Sequence, residues 1–181
     1  MTYLFQSARL GFRNWSDADI DPMAAISADE EVMKYFPAVA TYDQTAAFIK
    51  RMQDEFDERG YCYFAVDELS TNTFIGFIGI SWKTFEADFT PCVDIGWRLK
   101  PSAWNKGYAT EGAIRCLDYA FDTLKLDRVY SMAPKINTPS EHVMQKAGMI
   151  KIGEFEHPLL QDRPDLRQCV LYVKSNPANR H

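Results

Sequence analysis

The stretch IGWRLKPSAWNKGYATEGA, residues 95–113, joins a strand to a helix through a short turn. Its first residues continue the apolar run of 92–99, which predicts a strand, and Pro101 interrupts that run. From Gly107 onwards the apolar residues recur at helical spacing. A strand that turns through a glycine into a helix leaves several backbone N–H groups unpaired at the helix start. This stretch therefore predicts a site for a phosphate or another anion.

The residues of the turn suit the close approach of an anion to the backbone. Gly107 and Ala109 are small, and Thr110 adds a hydroxyl donor. Lys106 or Lys100 adds a positive charge. The nucleotide-binding pattern GxxxxGK[ST] is absent because Lys106 precedes the glycine, and GxGxxG is absent as well. The same residues also fit a glycine that only ends a loop and an alanine that packs against the sheet.

Periodicity and turn residues divide the rest of the chain into short helices and strands. Helices are predicted over residues 17–27, 29–37, 41–60, from 107 onwards, and over 137–148. Strands are predicted over residues 10–15, 61–68, 74–82, 92–99, 127–134, 149–156 and 167–174. We therefore predict a single α/β domain over 1–181 around a mixed, largely antiparallel sheet, with a frayed tail over 175–181.

The overall composition limits the classes of partner. The chain has 181 residues and a formal net charge of -5, with a pI of about 5.2, which makes nucleic acids and anionic membranes poor partners. No signal peptide or bilayer-spanning run is evident, and the four cysteines show no CxxC spacing, so we expect a cytoplasmic protein with reduced thiols. His142 and His157 lack the spacing of metal ligands, so no metal is expected.

The stretch 95–113 resembles motif A of the GNAT superfamily of N-acetyltransferases, and most closely its RimJ/RimL-like branch. That branch typically reads P-x-x-W-G-x-G-Y-A-T-E-A. Here Trp104 stands where the wider family has arginine or glutamine. Asn105 replaces a glycine of the branch, and Gly112 replaces an alanine.

Two further segments resemble the same branch. ARLGFR (8–13) is similar to its opening strand, and NTPSEHVMQKAGM (137–149) is similar to its motif N-x-x-S-x-x-V-x-x-K-x-G-M/F. The resemblance thus covers nearly the whole chain. It implies one α+β domain, with helices around a sheet that splays between its two central strands. It also implies that acetyl-CoA binds in this opening as the acyl donor.

The resemblance implies a set of residues that bind acetyl-CoA. The strand before the turn would pair its backbone with the pantetheine arm, the turn would bind the pyrophosphate, and the next helix start would contact the arm and the sulfur. These residues are Trp97, Arg98 and Leu99; Trp104, Asn105, Lys106, Gly107, Tyr108, Ala109 and Thr110; and Asn137 and Ser140. From the residues alone, Lys106 also fits a solvated lysine, Asn137 a helix cap and Ser140 an ordinary first-turn serine.

The resemblance also implies direct transfer of the acetyl group to an amine. Asp94 lies where many relatives have a glutamate, and it would take a proton from the amine through water; it also fits a strand aspartate that is only hydrogen-bonded. Many relatives protonate the leaving thiolate with a tyrosine, but this chain has Met144 there, so Ser140 is the best substitute. The acceptor is expected to be a protein N-terminus or a small primary amine, and the protein a monomer or a homodimer.

Two other functions fit the same residues. Met144 and the short side chain of Asp94 also suit a non-catalytic protein that binds acetyl-CoA or CoA as a sensor or scaffold. A purely structural module is the third possibility. The polar segment 156–168, which contains prolines, is expected to be either a substrate-side loop or a simple connection.

Overall fold

The computed structural model describes residues 2–179, which form one sheet of eight strands with four α-helices in that range. The strands are β1 (Phe5–Gln6), β2 (Leu10–Arg13), β3 (Tyr63–Glu68), β4 (Thr73–Lys83), β5 (Cys92–Leu99), β6 (Arg128–Pro134), β7 (Ile150–Glu156) and β8 (Gln168–Ser175). The helices are α1 (Ile20–Ser27), α2 (Tyr42–Arg59), α3 (Tyr108–Asp118) and α4 (Thr138–Lys146). None of them is both long and apolar enough to cross a bilayer.

The sheet is mixed and opens in its centre. Its strand order is β1-β2-β3-β4-β5-β6-β8-β7, and every neighbouring pair is antiparallel except β5 and β6. Those two strands are parallel and pair only at Asp94 and Tyr130 within residues 2–179. Beyond this pair they diverge, which leaves a gap beside the second half of β5. The predicted mixed, mostly antiparallel and splayed sheet is therefore confirmed.

Helices cover both faces of this sheet. Successive residues of a strand point to opposite faces. Accordingly, the Phe77 ring lies 5.4 Å from the Phe48 ring of α2, while its neighbour Ile78 lies against Gly112 of α3. A Cβ atom at Gly112 would come within 2.3 Å of the Ile78 Cδ1 atom, so this glycine is what lets α3 lie so close to the sheet.

Local signals at both ends explain why α2 forms where it was predicted. The Thr41 hydroxyl accepts from the Gln44 amide, and the Gln44 side chain accepts from the Thr41 amide, so both donors at the helix start are paired. Gly60 ends the helix in a left-handed conformation, with φ of 77°. Between these ends, Ile49 and Met52 are buried against the core.

Two predictions about local structure were wrong. Residues 29–37 form turns rather than a helix. The Asp29 carboxylate accepts from the Glu31 and Val32 amides as a helix cap does. The helical bonding nevertheless ends after one turn, and Pro37 disfavours a helical residue before it. The segment predicted to fray is held in place over residues 175–179, where the buried Asn176 side chain donates to two backbone carbonyls. Residues 180 and 181 of that segment lie outside the described range.

Candidate active site

A cleft of about 450 Å³ opens beside the gap in the sheet. Its walls are the loop of residues 28–41 between α1 and α2 (the α1–α2 loop), the second half of β5, the turn before α3 and the first turns of α4. Most of the residues that the sequence predicted for acetyl-CoA line it: Trp97, Arg98, Leu99, Trp104, Asn105, Gly107, Tyr108, Ala109, Thr110, Asn137 and Ser140. The fold therefore brings the two sequence motifs together around one opening.

The turn before α3 presents free backbone amides to this cleft. Gly107 is the N-cap residue of α3, adopts a left-handed conformation with φ of 78°, and provides no side-chain cap. Its carbonyl accepts from the Glu111 amide, so the helical bonds begin there. The preceding amides of the first turn have no such helical acceptor. This arrangement suits an anion, as the strand–glycine–helix pattern predicted.

The structure explains why Asn105 stands where the RimJ/RimL-like branch has glycine. Asn105 has φ of 58°, which lies in the left-handed region. Glycine adopts this region freely, and asparagine enters it more readily than most other residues. The substitution therefore preserves the course of the turn.

Two of the motif residues tie the turn to the N-terminal part of the chain. The Lys106 carbonyl accepts from the Arg9 guanidinium at 2.9 Å, and the Lys106 ammonium lies 5.9 Å from the centre of the Tyr108 ring. Glu111 accepts from Arg9 at 2.7 Å, and the Tyr108 hydroxyl donates to Glu68. Lys106 is the one residue predicted for the turn that does not line the cleft among residues 2–179. The Lys106 side chain is therefore placed against Tyr108 rather than in the opening.

The backbone of β5 turns only alternate residues toward the gap. The Lys100 amide donates to a β4 carbonyl at 2.9 Å, and every second residue of a strand bonds to the same neighbour. Arg98 therefore bonds to β4, which corrects the prediction that its backbone binds the arm of the cofactor. Trp97 and Leu99 face the gap, and the Leu99 carbonyl already accepts from the Trp104 indole at 2.8 Å. Trp97 retains both backbone groups for a ligand.

Asn137 and Ser140 lie together at the start of α4. The Asn137 side-chain oxygen accepts from the Ser140 amide at 3.2 Å, so Asn137 is a helix cap, which is one of its two sequence interpretations. Both residues also line the cleft. Met144, one turn further on, is buried and has no group that donates a proton.

Asp94 lies where β5 and β6 separate. The buried carboxylate accepts from the Tyr63 hydroxyl at 2.7 Å, and the Lys83 ammonium lies 3.9 Å away. Burial raises the pKa of the Asp94 carboxyl to about 6, although Lys83 and the Tyr63 hydrogen bond act in the opposite direction. A carboxylate with this pKa is largely ionised at pH 7 and remains able to accept a proton. Asp94 is not among the described residues that line the cleft; it lies where β5 and β6 separate, three residues before Trp97, which does line it.

Sequence reasoning missed several residues that surround these groups. Tyr63 stands 31 residues before Asp94, and no local pattern links the two. The α1–α2 loop was predicted as a helix at 29–37, so its contribution of Tyr35 and Phe36 to the cleft was also missed. Alternation places Tyr63 and Asp94 on one face of the sheet, but only the register of three strands shows that they meet.

The segment 156–168 packs against loops on the open side of the molecule. Arg163 donates to the Phe36 carbonyl at 3.4 Å and to the Pro37 carbonyl, both in the α1–α2 loop. The His157 ring lies 4.4 Å from the Phe85 ring in the loop between β4 and β5. The segment thus supports the wall of the cleft rather than only connecting two strands.

Neither the histidines nor the cysteines form a second chemical centre. Within residues 2–179, no group of three or more histidine, cysteine, aspartate or glutamate side chains is placed to hold a metal ion. The four cysteines are buried and unpaired.

Comparison with known proteins agrees with the fold. Residues 9–150 match the acetyltransferase (GNAT) domain family. The uncharacterized N-acetyltransferase YnaD of Bacillus subtilis is 33% identical over 149 residues, which cover 82% of this chain and 83% of YnaD. A GNAT-family acetyltransferase from Bacillus anthracis superposes with a TM-score of 0.78 at 28% identity, covering 94% and 97% of the two chains. The fold is also that of a spermidine N-acetyltransferase from Vibrio cholerae in complex with CoA and spermine, with a TM-score of 0.71, 15% identity and coverage of 93% and 96%.

Proposed function

Because the chain belongs to the acetyltransferase (GNAT) domain family and is a transferase with an acyl-CoA donor, we propose that it moves an acetyl group from acetyl-CoA directly to a primary amine. The three sequence motifs favour the RimJ/RimL-like branch of that family. One observation carries the proposal: the turn at Gly107 and the part of β5 beyond its pairing with β6 line the same cleft, and Asp94 stands at the end of that pairing.

The residues of the cleft fit acetyl-CoA. Amides of residues 104–110 suit the pyrophosphate, because a helix start attracts anions. The free backbone groups of Trp97 suit the amides of the pantetheine arm, and the half-buried Asn137 side chain is close enough to the opening to contribute. When bound, acetyl-CoA supplies an acetyl thioester for transfer.

Asp94 is the proposed base. The ammonium form of the acceptor loses a proton to Asp94, directly or through water, and its nitrogen then forms a bond to the acetyl carbon while the carbon–sulfur bond breaks. The nitrogen loses its second proton as the amide forms, and the departing CoA thiolate takes up that proton and leaves as the thiol. We assign to Ser140, which lines the cleft, a hydrogen bond to that sulfur, since Met144 has no group that donates one.

Release of the CoA thiol in the presence of a panel of primary amines tests the proposal. The panel contains small amines and short peptides with free N-termini, so its result also separates the two acceptor classes. We expect acceptor-dependent release, and we expect Asp94→Asn to lower its rate by roughly 100-fold or more, as for other general bases. The affinity for acetyl-CoA should change much less.

Two results would favour other functions. Tight binding of acetyl-CoA without acceptor-dependent release across the panel would favour a sensor or scaffold. An unchanged melting temperature at saturating acetyl-CoA would favour a structural module. An Asp94→Asn rate equal to that of the unaltered protein at every pH would remove Asp94 as the base.

A further inference from the structure

The half-buried Arg98 contrasts with Arg13, the buried arginine of the sheet. Arg13 makes four hydrogen bonds of 2.7–3.0 Å to the carboxylates of Asp19 and Asp67. Arg98 makes one side-chain hydrogen bond, of 3.3 Å, to the Ser27 hydroxyl, and its Nε atom is buried without a hydrogen-bond partner. Within residues 2–179, no carboxylate lies within 4 Å of the Arg98 guanidinium.

A cation that is partly removed from water and has no counter-ion is costly to the folded protein. Burial lowers the pKa of Arg98 to about 10. Proteins normally place a counter-ion beside such a group, as this chain does for Arg13. The missing counter-ion at Arg98 is therefore best explained by a ligand that brings it.

Arg98 lies in the cleft, beside two aromatic rings and near the proposed base. Its guanidinium lies 4.2 Å from the centre of the Phe36 ring and 5.3 Å from that of the Phe77 ring, and both Arg98 and Phe36 line the cleft. Arg98 and Asp94 are an even number of residues apart, so their side chains share one face of β5. The Tyr63 ring stacks on Phe77 at 5.1 Å and its hydroxyl reaches Asp94, so base and guanidinium belong to one contiguous cluster.

We infer that Arg98 binds a carboxylate of the acceptor, so that the acceptor is an amine that also carries a carboxylate, such as an amino acid. This inference rests on the proposed acetyl transfer to an amine. The aromatic rings beside the guanidinium leave its in-plane N–H groups for an anion, and a planar carboxylate matches that edge better than a tetrahedral anion does. The arm of the donor, in contrast, runs along the backbone edge of β5, away from this side chain.

Matched pairs of acceptors test the inference. Each pair is an α-, β- or γ-amino acid and its carboxamide, and the readout is kcat/KM from release of the CoA thiol. We expect the best acid to exceed its amide by roughly 10- to 100-fold, the contribution of a charge-assisted hydrogen bond.

Three variants assign that preference to Arg98. Arg98→Gln is expected to remove this preference, because it should raise KM for the acid far more than it changes kcat/KM for the amide or the affinity for acetyl-CoA. Arg98→Lys keeps the positive charge but cannot form the bidentate hydrogen bonds of a guanidinium, so it is expected to retain part of the preference. Arg51→Gln is the matched control, because Arg51 is an exposed arginine of α2 whose guanidinium also lies near a phenylalanine ring, 6.0 Å from Phe48, but outside the cleft.

Several results would overturn the inference. These are equal use of acids and amides by the unaltered protein, a preference that survives in Arg98→Gln, or a loss in Arg98→Gln that falls on acetyl-CoA affinity instead of acceptor KM. If no amine of any pair releases CoA, the proposed function itself has failed. The carboxylate site is then tested by measuring the melting temperature of the CoA-bound protein in the presence of each acid and each amide. A rise that the acids cause in the unaltered protein but not in Arg98→Gln supports the site, and equal effects of acids and amides exclude it.

Discussion

Gly107 and Gly60 adopt nearly the same left-handed conformation at different places in the molecule. Their φ angles are 78° and 77°, and a Cβ atom added at Gly60 would meet nothing within 4 Å. At Gly107 it would meet only the Arg9 guanidinium, at 3.4 Å. The two positions therefore carry the same backbone constraint, but only Gly107 lines the cleft.

This pair separates backbone strain from binding. We expect Gly107→Ala and Gly60→Ala each to lower the free energy of unfolding by about 1–2 kcal/mol, the cost of a left-handed residue with a side chain. Only Gly107→Ala should weaken acetyl-CoA binding, because its methyl group enters the space beside the helix-start amides. Urea unfolding and titration with acetyl-CoA measure the two effects. Equal affinities in both variants would exclude Gly107 from the anion site.

The Tyr63 hydroxyl lowers the pKa of Asp94, the proposed base. Burial raises the pKa of Asp94 to about 6, and the Tyr63 hydrogen bond partly opposes that rise by stabilising the carboxylate. Tyr63→Phe should therefore raise the pKa further. Because the base acts in its ionised form, the acid limb of the kcat/KM profile should lie near pH 6 and should move to higher pH in Tyr63→Phe.

Tyr172→Phe is the control for this shift. It also removes a tyrosine hydroxyl that donates to a carboxylate, Glu141, at 2.7 Å, but on β8. The acid limb of the kcat/KM profile of Tyr172→Phe should lie at the same pH as that of the unaltered protein. A shift of equal size in both variants, or a profile of Tyr63→Phe that does not move, would argue against Asp94 as the titrating base.

At the scale of elements, the Asn137 side chain caps α4 and is proposed to bind acetyl-CoA as well. The Asn137 oxygen caps the helix by accepting from Ser140, which leaves the side-chain NH₂ group for a ligand. Aspartate also caps helices but cannot donate. The two functions can therefore be separated by a single substitution.

Asn137→Asp should retain stability and lose affinity. We expect its free energy of unfolding to stay within about 0.5 kcal/mol of the unaltered protein, whereas Asn137→Ala should lose about 1 kcal/mol. Acetyl-CoA should bind both variants more weakly, because both lack the donor. Thermal unfolding and calorimetric titration give the two quantities. Unchanged affinity in Asn137→Asp would leave Asn137 as a cap alone.

Local signals predicted most elements, and their failures have local causes. The α2 helix has a capping box at Thr41 and a glycine stop at Gly60, so it forms as predicted. The segment 29–37 begins with a capping aspartate, Asp29, but its helical bonding ends after one turn, and Pro37 disfavours a helical residue before it. A start signal was thus present, and the segment before the proline was too short to continue as a helix.

At the scale of the whole molecule, the sheet consists of two parts that are joined at the short pairing of β5 with β6. One part is β1 to β5, and the other is β6, β8 and β7. They share the pair Asp94–Tyr130 and a hydrogen bond of 3.1 Å from the Ser131 hydroxyl to the Ile95 carbonyl. A ligand in the gap would contact both parts.

Acetyl-CoA should therefore stabilise the junction of the two parts. At a free concentration of 100 times its Kd, it should raise the free energy of unfolding by about 2.7 kcal/mol. Amide exchange should slow at residues 95–99, 104–110 and 137–140. Gly107→Ala at the same concentration is expected to show a smaller effect. Protection confined to the turn, without β5, would indicate that the ligand binds outside the gap.

The sequence by itself determined the strand that ends at Leu99, the left-handed turn at Gly107 and the position of Asp94 on its strand. These are properties of neighbouring residues, since glycine, proline and apolar spacing act over a few positions. Only the tertiary structure decided that Tyr63 holds Asp94, that the Lys106 side chain lies outside the cleft, and that Arg98 is left without a counter-ion beside Phe36. Those facts depend on which distant residues the sheet register and the α1–α2 loop bring together, and no local pattern carries that information.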